Sequence, residues 1–239
     1  MTADGPAGVR IQPQLEVYTT AWPTATMLAS TWNRALVEQI GTAGAKELKE
    51  NNLGSWLTPA MNIHRSPLCG RNFEYYSEDP LVAGTMAASM IQGIQSQHVA
   101  ATPKHFAFNN KETNRKSSDS MVSERAAREI YLKGFEIAVK EADPWMIMSS
   151  YNKINGQQTS ECRELLTDIL RGEWGFNGIV TTDWWTRGEH WREVAAGNDL
   201  KMACGYPETV LEAVADGRVS KQQVRDCAKR ILELILKME

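Results

Sequence analysis

The 239-residue sequence predicts a single α/β domain with the architecture of a TIM-like (β/α) barrel, irregular or incomplete. Two observations predict this fold class. Short apolar segments that suit buried parallel strands alternate with longer segments of helical periodicity. Four consecutive strand-like segments also run into polar or ionisable residues, as in barrels that gather functional groups at the C-terminal ends of their strands. No Gly/Ser-rich linker divides the chain, so we assign residues 1–239 to one domain.

The predicted elements follow one another as strand and helix. The strands cover residues 55–61, 99–102, 146–150, 178–182 and 199–203, and the helices between them cover residues 24–51, 80–97, 123–141 and 162–174. Asp79 before Pro80 places a cap residue ahead of a proline at the first helical position. Ser220 and Gln223 match a capping box, which predicts a last helix from there to the end of the sequence.

Composition and charge argue against several classes of function. The formal net charge of −3 gives no electrostatic reason to expect nucleic acid or an anionic membrane as a partner. No run of about 20 apolar residues exists, so we expect no membrane-spanning helix. The four cysteines lie far apart without a C-x-x-C pair, which gives no support for a zinc site; they are Cys69, Cys162, Cys204 and Cys227. Their spacing favours reduced thiols in a cytoplasmic protein.

Asp183 is the candidate nucleophile. It directly follows the apolar segment 179–182 and precedes Trp184. A carboxylate at the end of a buried strand is costly unless it is paired or hydrogen-bonded. An ionised Asp in that position can attack the anomeric carbon of a glycoside and form a glycosyl-enzyme. The alternative is an Asp that caps the following helix, and spacing alone leaves both interpretations open.

Lys104 and His105 follow the predicted strand 99–102. Adjacent residues on a regular strand point to opposite sides, so both face one pocket only where the backbone is irregular. They can bind sugar hydroxyls, with charges that keep Asp183 ionised. The alternative is a salt-bridged lysine and a hydrogen-bonded core histidine.

Further polar residues share this ambiguity. Arg71 and Arg115 lie in charged loops. Their guanidinium groups either take part in solvated ion-pair networks or use their planar fork of donors to bind vicinal hydroxyls. Tyr151 either donates a hydrogen bond to the nucleophile or caps the core. Asp4 lies in a Gly- and Pro-containing segment, residues 4–8, that predicts a tight turn.

These motifs, in order, resemble those of the family 3 glycoside hydrolases. DGPAGVR at residues 4–10 is similar to the family's DGPxGxR loop. Further resemblances are PAMNIHR at 59–65, GRNFE at 70–74, SEDP at 77–80, KHF at 104–106 with Asn110, Glu112 and Arg115, SYN at 150–152, and LRGEWGFNG at 170–178. TDW at 182–184 is similar to the family's SDW, with Thr182 in place of the usual Ser. The resemblance covers nearly the whole chain.

The resemblance implies a role for each candidate. Asp183 would be the nucleophile, with Trp184 beside the sugar ring and Tyr151 near the nucleophile. The hydroxyls of the non-reducing terminal sugar would be bound by Asp4, Arg71, Lys104, His105 and Arg115. The implied reaction is retaining hydrolysis of a terminal β-D-glycoside or oligosaccharide substrate, glucosides first and xylosides second, without a metal or cofactor.

Two departures from the family pattern carry expectations of their own. The sequence begins at the DGP loop, so we expect the family's usual upstream strand and helix to be missing. The family's acid/base glutamate comes from a separate α/β sandwich domain, or, in the β-N-acetylglucosaminidase branch, a His/Asp dyad occupies a glycine-rich loop after KHF. Residues 107–112, AFNNKE, do not resemble that loop. We therefore expect no acid/base residue in this chain. Either a sandwich domain is supplied in trans, or the chain is a catalytically incomplete, sugar-binding fragment.

Overall fold

The structure, a computed structural model, describes residues 1–11 and 17–239. Its strands are β1 (Thr2–Ala3), β2 (Ser55–Trp56), β3 (Ala100–Ala101), β4 (Lys104–Phe106), β5 (Asp119–Ser120), β6 (Met146–Ser149), β7 (Lys153–Ile154), β8 (Gln157–Gln158) and β9 (Ile179–Thr182). Its α-helices are α1 (Ala25–Ser30), α2 (Arg34–Glu50), α3 (Pro80–Gln95), α4 (Glu124–Ala126), α5 (Lys133–Ala142), α6 (His190–Ala196), α7 (Pro207–Ala215) and α8 (Lys221–Met238). Two segments, Ala127–Tyr131 and Glu164–Glu173, form π-type helical turns.

The central strands are parallel and form an open barrel. One sheet has the order β1-β2-β3 and a second has the order β4-β6-β9. A parallel bridge between Ala60 and Lys104 joins the two sheets, and a bridge between Thr181 and Leu200 extends the second one. Within residues 1–11 and 17–239, no pairing closes the series back onto β1. The prediction of an incomplete TIM-like barrel is therefore confirmed.

The helices pack outside the strands and bury an apolar core. Side chains such as Trp56, Phe106, Phe135 and Ile147 are inaccessible to solvent or nearly so. Helices α2 and α3 approach so closely that a Cβ added to Gly93 would lie 2.1 Å from the Glu38 carbonyl oxygen. Glycine is therefore needed at this crossing because any side chain would force the two helices apart.

Both predicted helix caps are confirmed. The Asp79 carboxylate accepts hydrogen bonds from the backbone N–H groups of Leu81 and Val82 at the start of α3. At the start of α8, the Ser220 hydroxyl and the Gln223 side chain each accept from the other residue's backbone N–H, which is the complete capping box. Such contacts satisfy amide groups that the first helical turn leaves without partners.

The single helix predicted over residues 24–51 is wrong, because the chain forms α1 and α2 with a break between them. Trp32 adopts a left-handed backbone conformation with φ of 53°. The Asn33 side chain then accepts a hydrogen bond from the N–H of Leu36 and caps α2. Asparagine competes for backbone donors and so favours a cap over a helix interior.

The strand predicted over residues 199–203 is also wrong. Only Leu200 makes a bridge to β9. The buried Asp199 carboxylate instead accepts hydrogen bonds from the Val180 backbone N–H, from Arg171 (2.6 Å) and from Arg230 (2.7 Å). Backbone pairing with β9 is confined to Asp199 and Leu200, and this side-chain network reinforces it at the edge of the sheet.

Several elements differ in extent from the sequence prediction. Within the segment 55–61, only the two residues of β2 form a strand. The segment 99–102 contains β3 and is followed by a second short strand, β4, which includes Lys104 and His105. β1 precedes the turn at residues 4–8, where the Gly8 N–H donates to the Gly5 carbonyl. The small β5-β7-β8 sheet and the helices α6 and α7 were not predicted.

Two further observations concern the sequence predictions about membrane-spanning helices and about the cysteines. Across the part of the chain that the structure describes, no helix is long and apolar enough to cross a membrane. Cys69, Cys162, Cys204 and Cys227 are all free thiols. The cytoplasmic location stays a prediction.

Candidate active site

A cavity of about 790 Å³ opens at the C-terminal ends of the parallel strands. β4 and β6 contribute residues directly, and the loops after β1, β2, β4, β6 and β9 contribute the rest. All eight residues selected from the sequence line this cavity, namely Asp4, Arg71, Lys104, His105, Arg115, Tyr151, Asp183 and Trp184. The expectation that polar groups at four strand ends share a pocket is therefore met by the geometry.

Asp183 directly follows β9, and its side chain is almost fully buried in the cavity wall. Its Oδ1 accepts a hydrogen bond of 2.7 Å from the Trp184 backbone N–H. Burial raises the pKa of Asp183 above its ordinary value, against the opposing effects of that N–H, Lys104, Tyr151 and Arg71. The helix-cap interpretation is wrong, because the next helix, α6, begins only at His190 and its N-cap is Glu189.

Polar contacts to both its backbone and its imidazole ring hold His105 in place. Asn62 accepts from the His105 N–H and donates to the His105 carbonyl, both at 2.8 Å. The imidazole Nδ1 lies 3.4 Å from the Tyr75 hydroxyl, and Nε2 lies 3.9 Å from Asp183 Oδ2. Burial and then the charges of Arg71, Lys104 and Arg115 hold the pKa of His105 well below its usual value. The ring is therefore neutral near pH 7, and the expectation that its charge favours ionised Asp183 is wrong.

Lys104 is salt-bridged and also lines the cavity, and its binding of sugar hydroxyls stays a prediction. Its Nζ lies 2.6 Å from Asp4 Oδ1, while Arg10 approaches Asp4 Oδ2 at 3.2 Å. Burial opposes ionisation of Asp4, but the charge and hydrogen bond of Lys104, the Gly5 N–H and Arg10 together outweigh it, so the pKa of Asp4 lies below its ordinary value. The pairing register of β4 shifts between Lys104 and Phe106, and Lys104 and His105 both line the cavity.

Arg71 and Arg115 are likewise paired and cavity-lining. The Arg71 guanidinium hydrogen-bonds the buried Glu74 carboxylate and lies 3.9 Å from Glu112, which Arg115 contacts at 2.9 Å. Despite burial, the hydrogen bond and charge of Glu74, together with the Tyr75 and Glu112 groups, raise the pKa of Arg71. The Arg71 guanidinium therefore keeps its positive charge at the wall of the cavity.

Tyr151 and Trp184 form the wall next to Asp183. The Tyr151 hydroxyl donates to the Trp184 carbonyl at 2.6 Å, so this hydrogen bond reaches the residue that follows Asp183 and not Asp183 itself. Arg115 lies 4.9 Å from the centre of the Tyr151 ring. Burial, followed by the Asp183 charge, raises the pKa of Tyr151. Trp185, whose side chain is 58% exposed, lines the cavity beside Trp184.

The structure adds residues that the sequence did not single out. Phe73 and Met148 also line the cavity. Asn62 and Phe73 lie inside recognised motifs, which is the signal that could have found them. Tyr75 and Asn109, which hydrogen-bond each other behind His105, come together only through long-range folding.

Some charged residues of the loop at residues 62–79 serve other purposes. Asp79 caps α3, and neither Arg65 nor Glu78 lines the cavity. Among residues 1–11 and 17–239, no cluster of three or more His, Cys, Asp or Glu side chains is suited to hold a metal ion.

Known proteins resemble this chain over most of its length. The sequence model described as "Glycosyl hydrolase family 3 N terminal domain" matches residues 10–234. The chain belongs to glycoside hydrolase family 3. Beta-glucosidase A of Butyrivibrio fibrisolvens is 62% identical over 229 residues, which are 96% of this chain and 27% of that protein. Thermostable beta-glucosidase B of Acetivibrio thermocellus is 44% identical, over 98% of this chain and 33% of its own length.

Solved structures show the same relationship. Beta-glucosidase 3B of Thermotoga neapolitana, in complex with glucose, superposes with a TM-score of 0.95 at 49% identity, over 99% of this chain and 35% of that one. The Bifidobacterium adolescentis GH3 beta-glucosidase gives a TM-score of 0.96 at 43% identity, over 100% of this chain and 35% of that one. The chain thus spans about a third of the length of these relatives.

Proposed function

We propose that this chain provides the nucleophile and the terminal-sugar pocket for retaining hydrolysis of β-D-glycosides, with glucosides as first substrates and xylosides as second. The position of Asp183 carries the proposal. Its carboxylate lies in a cavity whose walls present the donors of Lys104, Arg71 and Arg115. The relatives named above are beta-glucosidases, which favours glucose as the sugar.

In the proposed reaction, a carboxylate oxygen of Asp183 attacks the anomeric carbon as the bond from that carbon to the leaving oxygen breaks. The leaving oxygen takes a proton from a general acid, and water later hydrolyses the glycosyl-enzyme. The Lys104 charge and the Trp184 N–H stabilise the Asp183 carboxylate against its burial. Neutral His105, 3.9 Å from Asp183, is placed to hydrogen-bond a sugar hydroxyl.

The general acid is proposed to come from an α/β sandwich domain outside this chain. Besides Asp183, the carboxylates that line the cavity in the described residues are Asp4 and Glu74, and both are ion-paired. A paired carboxylate with a lowered pKa, as at Asp4, is a poor proton donor near pH 7. For a retaining mechanism the incoming carboxyl group has to lie about 5–5.5 Å from Asp183.

The same observation favours a second candidate, a sugar-binding fragment without turnover. Aryl β-glucosides with good leaving groups distinguish the two because they need little protonation. We expect the chain to release the phenolate slowly and the Asp183→Ala variant not to release it. Glucose binding by calorimetry without phenolate release from either protein would favour the binding fragment.

A further inference from the structure

A buried ion pair packs against the loop between β9 and α6, which begins at Asp183. Lys201 Nζ is 2.7 Å from Glu193 Oε2, and each side chain is 1% exposed. Neither residue lines the cavity. Lys201 follows the bridge residue Leu200, and Glu193 belongs to α6. The pair therefore joins the edge of the sheet to the first helix after Asp183.

Both charged groups also bind the loop between β9 and α6. Lys201 Nζ donates to the Thr186 hydroxyl and to the Gly188 carbonyl, each at 3.0 Å. Glu193 Oε1 accepts 2.8 Å hydrogen bonds from Thr186 and from Ser160. The Thr186 hydroxyl thus donates to one member of the pair and accepts from the other. It uses its single proton for the carboxylate, which fixes its orientation.

The backbone on either side of Asp183 is tied to the same region. The Met202 N–H donates to the Thr182 hydroxyl at 2.9 Å, and the Trp185 N–H donates to the Met202 carbonyl at 3.4 Å. The loop also lies against the pair without spare room. A Cβ added to Gly188 would lie 2.4 Å from Glu193 Oε1.

Stability alone is a weak reason for such a pair. Removing two charges from water is costly, and apolar residues of similar volume often stabilise a fold as well or better. Hydrogen bonds with charged groups are directional and short, so they fix geometry where apolar contacts do not. A nucleophile needs its position held to a fraction of an ångström, because small displacements lower the rate strongly.

We propose that Lys201 and Glu193 are positioning residues that hold the loop after β9 and, through Thr186 and the Trp184 N–H, set the orientation of the Asp183 carboxylate. This inference rests on the proposed role of Asp183 as nucleophile. Neither residue lines the cavity, so we expect their removal to change the rate of attack more than the affinity for glucose.

The sharpest variant is Thr186→Val, which keeps the side-chain volume, the ion pair and the Lys201–Gly188 hydrogen bond but removes both hydrogen bonds of the Thr186 hydroxyl. Thr186→Ser, which retains the hydroxyl, is its matched control. Amide hydrogen exchange of residues 184–188 reports loop order. The rate at which a 2,4-dinitrophenyl 2-deoxy-2-fluoro-β-glucoside traps the chain covalently reports attack by Asp183. Glucose affinity by calorimetry and the melting temperature complete the measurements.

We expect Thr186→Val to exchange about tenfold faster at residues 184–188 and to be trapped about tenfold more slowly, since each lost hydrogen bond to a charged group is worth at least that factor. Glucose affinity should change by less than about twofold, and Thr186→Ser should behave like the parent. The double variant Lys201→Met with Glu193→Gln, which removes both charges together, should repeat the Thr186→Val result.

A lower melting temperature in Thr186→Val, with exchange and trapping rates like those of the parent, would overturn the inference and leave the pair a purely structural one. A double variant that is trapped as fast as the parent would overturn it too. If the parent itself is not trapped, the proposed function fails, and the exchange of residues 184–188 alone then decides whether the pair holds the loop.

Discussion

Replacing Lys104 by methionine tests whether its ammonium group stabilises the carboxylates of the cavity. The lysine side chain is 3% exposed and its Nζ lies 2.6 Å from Asp4 Oδ1. Methionine keeps most of the apolar stem and removes the charge. Asp4 then retains only Arg10, at 3.2 Å, as a cationic partner in the described structure.

The expected loss follows from the partial exposure of Asp4. Breaking a fully buried ion pair costs about 3–5 kcal/mol, whereas exposed pairs contribute about 0–1 kcal/mol. The Asp4 side chain is 36% exposed, so we place the loss at about 1–2 kcal/mol in the free energy of unfolding. For a chain of this size, that lowers the melting temperature by about 2–8 °C.

The pH dependence of this loss has a definite sign. The pKa of Asp4 is lowered on folding, so its stabilisation is complete above the unfolded pKa of about 4 and is lost as the pH falls through the folded pKa. The Asp4 contribution to the difference in melting temperature between parent and Lys104→Met should therefore be constant between pH 7 and 5.5 and shrink only below about pH 4. Lys104 also lowers the pKa of Asp183, so a change in the difference above pH 5.5 reports that second carboxylate. Lys46→Met, at an exposed position of α2, is the control and should melt like the parent. Equal melting temperatures of the parent and Lys104→Met at pH 7, or a difference that does not shrink below about pH 4, would refute the reasoning.

Two other predictions concern burial and packing. The pKa of Asp183 is raised by burial, so its ionised form destabilises the fold. Asp183→Asn, which keeps the oxygen that accepts from the Trp184 N–H, should melt above the parent at pH 7, with the gap narrowing as the pH falls toward about 4. Equal melting temperatures of Asp183→Asn and the parent at pH 7 would contradict this prediction. Gly93→Ala should lose about 1–3 kcal/mol of stability because its Cβ meets the Glu38 carbonyl. Gly172→Ala, whose nearest contact is 3.5 Å away, should be neutral or slightly stabilising in thermal melts, and an equal loss in both would contradict the packing argument.

The sequence predicted the elements with strong local signals. Asp79 with Pro80 and Ser220 with Gln223 each mark a helix start through contacts within a few residues, and both caps form. The break at Trp32 and Asn33 was missed because the apolar periodicity continues across it. The apolar pattern at residues 199–203 predicts a strand, but the ion pairs of Asp199 with Arg171 and Arg230 join residues about 30 positions apart and leave no local signal.

The same distinction applies to the cavity. Its members were predicted from motifs at the strand ends, and they line one pocket. Their protonation could not be predicted in the same way. The neutral state of His105 depends on burial and on three cations brought together by folding, and none of these is visible in the local sequence. The Lys201–Glu193 pair was missed for the same reason, since neither residue belongs to a motif.

The most direct test of the account is covalent trapping at Asp183. The purified chain is incubated with the 2,4-dinitrophenyl 2-deoxy-2-fluoro-β-glucoside, and the labelled residue is located by peptide mass spectrometry. Because the leaving group needs little protonation, the reaction does not depend on an acid from another domain. We predict one fluoroglucosyl group per chain, attached to Asp183, and none on the Asp183→Ala variant. Labelling at another residue, or equal labelling of the variant, would contradict the assignment of Asp183 as the nucleophile.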